Sequence, residues 1–273
     1  MRAAVVQMHV EDNLEENLAT AERLVREAAA SGADIVVLPE VVDYMGADEG
    51  VAAIKSPVPG SVSDRFGNLA RDLGIWLNAG SIHESIEGDD RIYNTSLLFG
   101  PNGDLLARYR KIHLYDVKIP GHVDALESAV VAPGEEIVTA DIDGHTAGLA
   151  ICYDVRFPEL FRALADEGAE LVFLPAAFTL FTGKDHWEVL IRARAIENQC
   201  YMLASGQQGR SKTGGATYGR SMIVDPWGTV LAVAPDGEGF AMATLDFARL
   251  AEIRRNLPSL ANRRLNRPAM VGA

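Results

Sequence analysis

The chain opens on an apolar run at residues 3–7, and from Glu11 to about Ala30 its apolar positions recur with a helical period. Acidic residues stand near the start of that stretch and Ser31-Gly32 stops it, as a helix with its C-terminal cap requires. Residues 34–38 (DIVVL) then read as a buried strand, so about 40 residues hold a βαβ unit and predict an α/β class. Residues 42–59 contain Gly and Pro with no steady period and read as a long loop. A second helix is predicted over 63–73, followed by strands at 76–80, 93–99 and 105–109. Pro101-Asn102-Gly103 supplies a hairpin turn between the last two.

The pattern then repeats. Residues 32–40 (GADIVVLPE) match 168–176 (GAELVFLPA) at five of nine positions, offset by 136. Residues 93–107 match 218–232 at six of fifteen positions, offset by 125, and share both turn residues, Pro101/Pro226 and Gly103/Gly228. Two matches in the same order point to two related α/β halves. The difference between the offsets assigns eleven extra residues to the first half, and the 42–59 loop is the place expected for them. With no Ser-, Pro- or Gly-rich linker in between, residues 1–273 are expected to form a single domain whose sheets pack together.

Composition narrows the function classes. The chain is 48% hydrophobic and 23% charged, which excludes disorder. At 273 residues it can bury roughly three-quarters of its unfolded surface, so it needs no metal or disulfide staple. A net charge of −13 repels phosphate backbones and anionic lipid, so neither nucleic acid nor a membrane surface is an expected partner. Two cysteines make no disulfide framework, and neither a signal-peptide pattern nor a membrane-length apolar run is present. These features predict a cytoplasmic protein of the reducing compartment. The histidines (His9, His83, His113, His122, His145 and His186) show no paired-ligand spacing, and no phosphate-cradling glycine motif occurs, so no metal or cofactor is expected. Arginines 254, 255, 263, 264 and 267 form a basic tail that is either a solvated face or a partner for acids of a second subunit.

Candidate chemistry stands where strands stop, which is where open α/β sheets bind ligands. The 34–38 strand delivers Glu40, the 105–109 strand Lys111, and a strand at 146–151 delivers Cys152, after which Pro158 opens a helix. A helix N-terminus and nearby cations are expected to lower the Cys152 thiol pKa. A thiolate can attack a carbonyl or nitrile carbon and hold the acyl group as a thioester. A carboxylate can shuttle the proton, and an ammonium can stabilise the oxyanion. Plainer readings exist: Cys152 as a small buried hydrophobe, as Cys200 is expected to be, Glu40 as a loop cap and Lys111 as a solvated charge. Beside these, Tyr44 is a candidate pocket wall and Phe178 a candidate lining residue, and His113, two residues past Lys111 on the same face of an extended segment, either lines the pocket or is a satisfied structural histidine. Arg156 could grip a substrate carboxylate bidentately or pair with Glu159 or another acid.

At these residues the sequence resembles the nitrilase superfamily of carbon–nitrogen hydrolases. The blocks LPE (38–40), YRKIHLYD (109–116) and GLAICYDVRFPEL (148–160) are similar to the motifs around that family's catalytic glutamate, lysine and cysteine. The resemblance covers essentially the whole chain. It implies a four-layer αββα sandwich, usually paired as a homodimer, working without metal or organic cofactor. It implies Glu40, Lys111 and Cys152 as the catalytic set, Glu127 as a second, supporting glutamate, and the Tyr153 backbone N–H as an oxyanion donor. Residues 178–201, 218–230 and 253–264 look most like the Nit branch of amidases. The HWEVL and RARAIE spellings are similar to the deaminated-glutathione amidases, with ω-amidases acting on α-ketoglutaramate-type amides close by. The implied reaction joins a small amide substrate with water. A nitrilase or N-carbamoyl amidase would use the same three residues, and a catalytically silent interaction module is the competing class.

Overall fold

The computed structural model describes residues 1–212 and 215–265. Its first half runs β1 (Arg2–Gln7), α1 (Leu14–Ala30), β2 (Ile35–Val37), α2 (Asp48–Ile54), α3 (Ser61–Leu73), β3 (Trp76–Ser85), β4 (Ile92–Phe99) and β5 (Leu105–Arg110). A separate hairpin follows, β6 (Asp116–Ile119) with β7 (Val123–Leu126). The second half runs β8 (Thr139–Ile142), β9 (His145–Leu149), α4 (Pro158–Asp166), β10 (Leu171–Ala176), α5 (Leu180–Asn198) and β11 (Tyr201–Gly206). It continues through the small pair β12 (Gln208–Arg210) and β13 (Ala216–Tyr218) to β14 (Met222–Val224), β15 (Val230–Val233), β16 (Gly239–Thr244) and α6 (Phe247–Asn256).

Two six-stranded sheets result, ordered β16-β1-β2-β3-β4-β5 and β15-β14-β11-β10-β9-β8. Read from β16 and from β8, both show the same succession of pairings: antiparallel, parallel, parallel, antiparallel, antiparallel. The sequence repeat is therefore a structural repeat. One edge is exchanged: β8 comes from its own half, whereas the equivalent edge strand β16 is lent by the second half to the first. The eleven extra residues also fall where expected. Ile35 pairs with Trp76 and Leu171 with Tyr201, so the β2–β3 connection is eleven residues longer than the β10–β11 connection.

Strand alternation makes the layers. On β1, Ala4 and Val6 pack with Leu18, Leu24 and Val25 of α1 and with Phe66 and Leu69 of α3. Ala3 and Val5 point the other way, into a core shared with Leu203, Phe173 and Leu149 of the second sheet. Helices α4 and α5 cover the far side of that sheet through Leu160, Leu164, Trp187 and Ile191. The fold is a four-layer αββα sandwich. The Asn13 side chain caps α1 by accepting from the Glu16 N–H at 3.3 Å, with Glu15 and Glu16 in the first turn complementing the helix dipole.

Three local expectations need correction. The 42–59 segment is not all loop: it contains α2, which buries none of its residues and so leaves no apolar period to detect. The third strand does not stop at Gly80 but runs on to Ser85, because Gly80 forms a bulge between the paired residues Asn78 and Ser81. The strand before the cysteine ends at Leu149, two residues early. In the basic tail, Arg254 donates to the Gln199 and Ala169 carbonyls and Arg263 pairs with Asp166 of the same chain. Arg267 lies outside the described residues.

Candidate active site

The end of β2 carries Glu40 in a tightly specified turn. Gly80, with φ of +66°, lies under it, and a Cβ there would sit 1.9 Å from the Pro39 carbonyl oxygen, so only glycine lets the strands approach. Val41, a β-branched residue held at φ +44°, follows, its N–H donating to Ser81 Oγ at 2.9 Å. The Gln207 side chain, from the second half, donates to the Glu40 carbonyl at 2.7 Å. Lys111 follows β5 directly, its N–H donating to the Asn94 carbonyl of β4 at 2.9 Å. Cys152 opens a single 3-10 turn over Cys152–Arg156 and takes φ +43°, a left-handed conformation unusual for a residue with a side chain. The buried Asp154 carboxylate steadies that turn, accepting from Ile151 N–H (2.8 Å), Tyr109 Oη (2.7 Å) and His113 N–H (3.2 Å), with His113 Nδ1 at 2.7 Å.

These segments bring the predicted acid, amine and thiol together. Lys111 Nζ lies 2.8 Å from Glu40 Oε1 and 3.0 and 2.9 Å from the two Glu127 oxygens. Glu40 Oε2 accepts the Ala177 N–H at 2.8 Å, and its carboxylate is within hydrogen-bonding range of the Cys152 thiol. Glu127, in the short 3-10 segment Glu127–Ala129, also accepts the Tyr115 N–H at 2.6 Å. The ammonium is thus held by two carboxylates of different origin.

Burial by itself would push the Glu40 carboxyl up. The Lys111 charge, with hydrogen bonds from Lys111, Cys152 and Ala177, outweighs it and holds Glu40 below the ordinary carboxylate range. Burial likewise pulls Lys111 down, and Glu40 and Glu127 reverse this, placing it well above the ordinary lysine value. Cys152 contradicts the expectation of a lowered thiol pKa. Burial and the Glu40 charge raise it well above the ordinary cysteine value, and Lys111 offsets only part of that. The resting site therefore holds a carboxylate, an ammonium and a neutral thiol. Cys200, just before β11, is a buried thiol pushed up to about 12 by burial, in line with a structural role.

A cavity of about 420 Å³ opens over these groups. Tyr44, Tyr153, Arg156 and Phe178 all line it. The Tyr44 ring packs against Gly46 and Gly50, where a Cβ would collide with its hydroxyl. His113 does not line the cavity: Asp154 holds its ring, which stacks on Phe157 at 3.7 Å. Arg156 faces His186 Nδ1 at 3.1 Å and lies over the Phe178 ring at 5.0 Å. Among the described residues it has no carboxylate partner, Glu159 included. Sequence reasoning missed Asn94, whose amide donates to Glu40 Oε1 (2.9 Å) and Glu127 Oε1 (3.3 Å), and it missed Asp154. The run of polar residues Asn94, Thr95 and Ser96 within β4, all buried, was the available signal for the first.

The sequence pattern of the carbon–nitrogen hydrolase family matches residues 2–255. The chain is 43% identical over 266 residues to the deaminated glutathione amidase of Homo sapiens, covering 96% of this chain and 81% of that one. It is 40% identical over 263 residues to the omega-amidase NIT2 of Mus musculus, covering 96% and 95%. Among solved structures, Saccharomyces cerevisiae Nit3, a member of branch 10 of the nitrilase superfamily, superposes with a TM-score of 0.86 at 33% identity, covering 97% of each chain. An amidase from Nesterenkonia sp. AN1, whose active-site cysteine was modified by acrylamide, superposes with a TM-score of 0.78 at 28% identity, covering 94% of this chain and 99% of that one. Fold, motif spacing and these matches together place the chain in the carbon–nitrogen hydrolase family, in the Nit branch of the nitrilase superfamily, as an amide-hydrolysing enzyme.

Proposed function

We propose that this enzyme hydrolyses deaminated glutathione at its keto-acid amide bond through a thioester on Cys152. The convergence of Glu40, Lys111 and Cys152 beneath one cavity carries the mechanism. Cys152 Sγ attacks the amide carbon as Glu40 takes the thiol proton, so the nucleophile is made only when substrate is present. The Lys111 charge and the Tyr153 N–H stabilise the negative oxygen. The tetrahedral intermediate collapses, the C–N bond breaks, and Glu40 passes its proton to the leaving amine. Glu40 then takes a proton from water, whose oxygen attacks the thioester carbon, and returns it to sulfur as the acid leaves. Glu127 and Asn94 keep Lys111 and Glu40 in register throughout.

Arg156, free of any carboxylate partner among the described residues and seated beside Phe178, supports a substrate with a carboxylate on its acyl portion. Tyr44 and Phe178 form the walls. An ω-amidase activity on α-ketoglutaramate fits the same acyl group and is the second reading, favoured by the likeness to NIT2. We read residues 1–273 as one catalytic domain acting in the cytoplasm, where Cys152 and Cys200, both unpaired, stay reduced. Exposed Val189 and Ile196 on α5 and the exposed Trp227 support a homodimer.

Turnover of deaminated glutathione, α-ketoglutaramate, N-carbamoyl-β-alanine and an aliphatic nitrile tests the substrate, and intact mass after a rapid acid quench tests the thioester. Fast turnover of the first, with an acyl adduct on Cys152, is expected. Arg156→Gln should raise KM about tenfold or more with a smaller change in kcat, as expected when a charge-assisted contact is lost. Full activity in Cys152→Ala would refute the mechanism, and preference for the nitrile or the carbamoyl compound would refute the substrate.

A further inference from the structure

A second polar group faces the cavity, and the reaction steps do not use it. His83 lies on β3 directly across from Asn94 on β4, the residue that bonds both Glu40 and Glu127. Cross-strand partners stand with Cβ atoms roughly 5 Å apart, so His83 is one step from the carboxylates. Its ring is fixed. The buried Asp43 accepts the His83 backbone N–H and meets ring Nδ1, both at 2.8 Å, and the Tyr44 ring stands edge-on at 6.2 Å. With Nδ1 committed, Nε2 has no partner among the described residues, and the side chain, 12% exposed, lines the cavity.

Placement decides which part of a substrate this nitrogen meets. The acyl carbon stays on Cys152, whose turn also carries Arg156. The departing nitrogen must reach Glu40 to receive its proton, so any substituent it bears continues past Glu40 into the space lined by Tyr44 and His83. Resting on the amidase reading above, we infer that His83, oriented by Asp43, anchors the leaving-amine portion of the substrate by donating from Nε2 to a carbonyl or carboxylate oxygen there. Arg156 and His83 then read opposite ends of the amide. An enzyme equipped this way prefers amides whose nitrogen carries a peptide-like extension over amides that release ammonia.

Charge supports this geometry. Burial disfavours the imidazolium, but Asp43, Glu40 and Glu127 together raise the His83 pKa above its ordinary value, and Asp48 adds another carboxylate to the cavity wall. On deprotonation Asp43 retains the Nδ1 proton and Nε2 becomes an acceptor. The anchoring donor therefore exists below the raised pKa and is lost as pH rises through it.

The test compares two amides with one acyl group: deaminated glutathione, whose nitrogen carries a dipeptide, and α-ketoglutaramate, whose nitrogen carries only hydrogen. His83→Asn preserves a group for Asp43 and removes the Nε2 donor, whereas His83→Gln places an amide donor near Nε2. His83→Asn is expected to lower kcat/KM about tenfold or more for deaminated glutathione and leave α-ketoglutaramate within about twofold, with partial recovery in His83→Gln. In the wild type, the preference for the extended amide should decline above the ordinary histidine range, a decline absent from His83→Gln. Equal losses on both amides in His83→Asn, or an unchanged ratio, overturn the inference while leaving the amidase reading intact. A wild type that turns over neither amide overturns both.

Discussion

Tyr109 donates its hydroxyl to Asp154 Oδ2 at 2.7 Å, deep between the two sheets. Tyr109 stands two residues before Lys111 and Asp154 two residues after Cys152, so this one bond ties the strand bearing the ammonium to the turn bearing the thiol. Burial and the Asp154 charge push the Tyr109 hydroxyl well above its ordinary pKa, so it remains a donor at any working pH. Tyr109→Phe leaves the packing and removes one donor from a buried carboxylate, which costs about 1–3 kcal/mol. A lower urea midpoint, accompanied by a slower acylation rate in single-turnover kinetics, is the expected result. An unchanged acylation rate would show that the bond serves stability alone.

Glu40→Gln separates proton transfer from thiol acidity. Losing the proton acceptor should lower kcat by about 100-fold or more. The Glu40 charge is also one of the influences raising the Cys152 pKa, and Lys111 acts in the opposite sense. Neutralising Glu40 therefore lowers the thiol pKa. Alkylation of Cys152 by iodoacetamide, followed against pH, should reach its plateau at lower pH in Glu40→Gln than in the wild type.

Gly80→Ala should disturb the site from behind. The new Cβ meets the Pro39 carbonyl oxygen at 1.9 Å, the Pro39 carbonyl carbon at 2.9 Å and the Leu38 carbonyl carbon at 3.0 Å in a left-handed backbone, and all three contacts are to main chain that cannot rotate away. A loss of ~3 kcal/mol or more in stability is expected from combined overlap and strain. Activity should fall with it, because the displaced segment carries Glu40. Thermal melting and turnover of purified Gly80→Ala check both.

Cys200 supplies a pH signature of the fold. Its thiol titrates near 9.0 when unfolded and at about 12 when folded, so its contribution to stability is complete below pH 9 and declines as pH rises toward 12. Above pH 9 the unfolded chain binds fewer protons than the native one, and stability falls by up to about 1.4 kcal/mol per pH unit from this group. Urea titrations between pH 9 and 10.5 should show a shallower decline for Cys200→Ala than for the wild type. Turnover by Cys200→Ala at neutral pH should stay near normal, since this thiol is not among the residues that line the cavity.

Much of the architecture was legible in the sequence because the hydrophobic pattern is itself what buries each element. Residues 34–38 and 168–176 read as matched buried strands, and both became interior strands of equivalent sheets. The α2 helix escaped because it buries nothing, and the length of β3 was misjudged because Gly80 stops a pattern without stopping a strand. The choice between the two readings of His113, pocket lining or structural, was closed to the sequence for a related reason. Alternation along an extended segment places it on the same side as Lys111, but Asp154, 41 residues away, captures the ring.

The sequence by itself determined the two-halved α/β plan, because apolar period and turn chemistry are local properties. It also determined the identities of acid, amine and thiol, because their flanking motifs are contiguous. Only the tertiary structure decided how those groups stand. Glu40 is held by Lys111, Asn94, Ala177 and Gln207, which come from both halves, and their spacing along the chain says nothing about their convergence. The thiol's protonation state was decided there too. A helix start and a nearby lysine argue for a thiolate, but burial and a carboxylate in hydrogen-bonding range argue more strongly for a thiol. Desolvation and charge proximity are functions of distance in space, and chain order does not encode that distance.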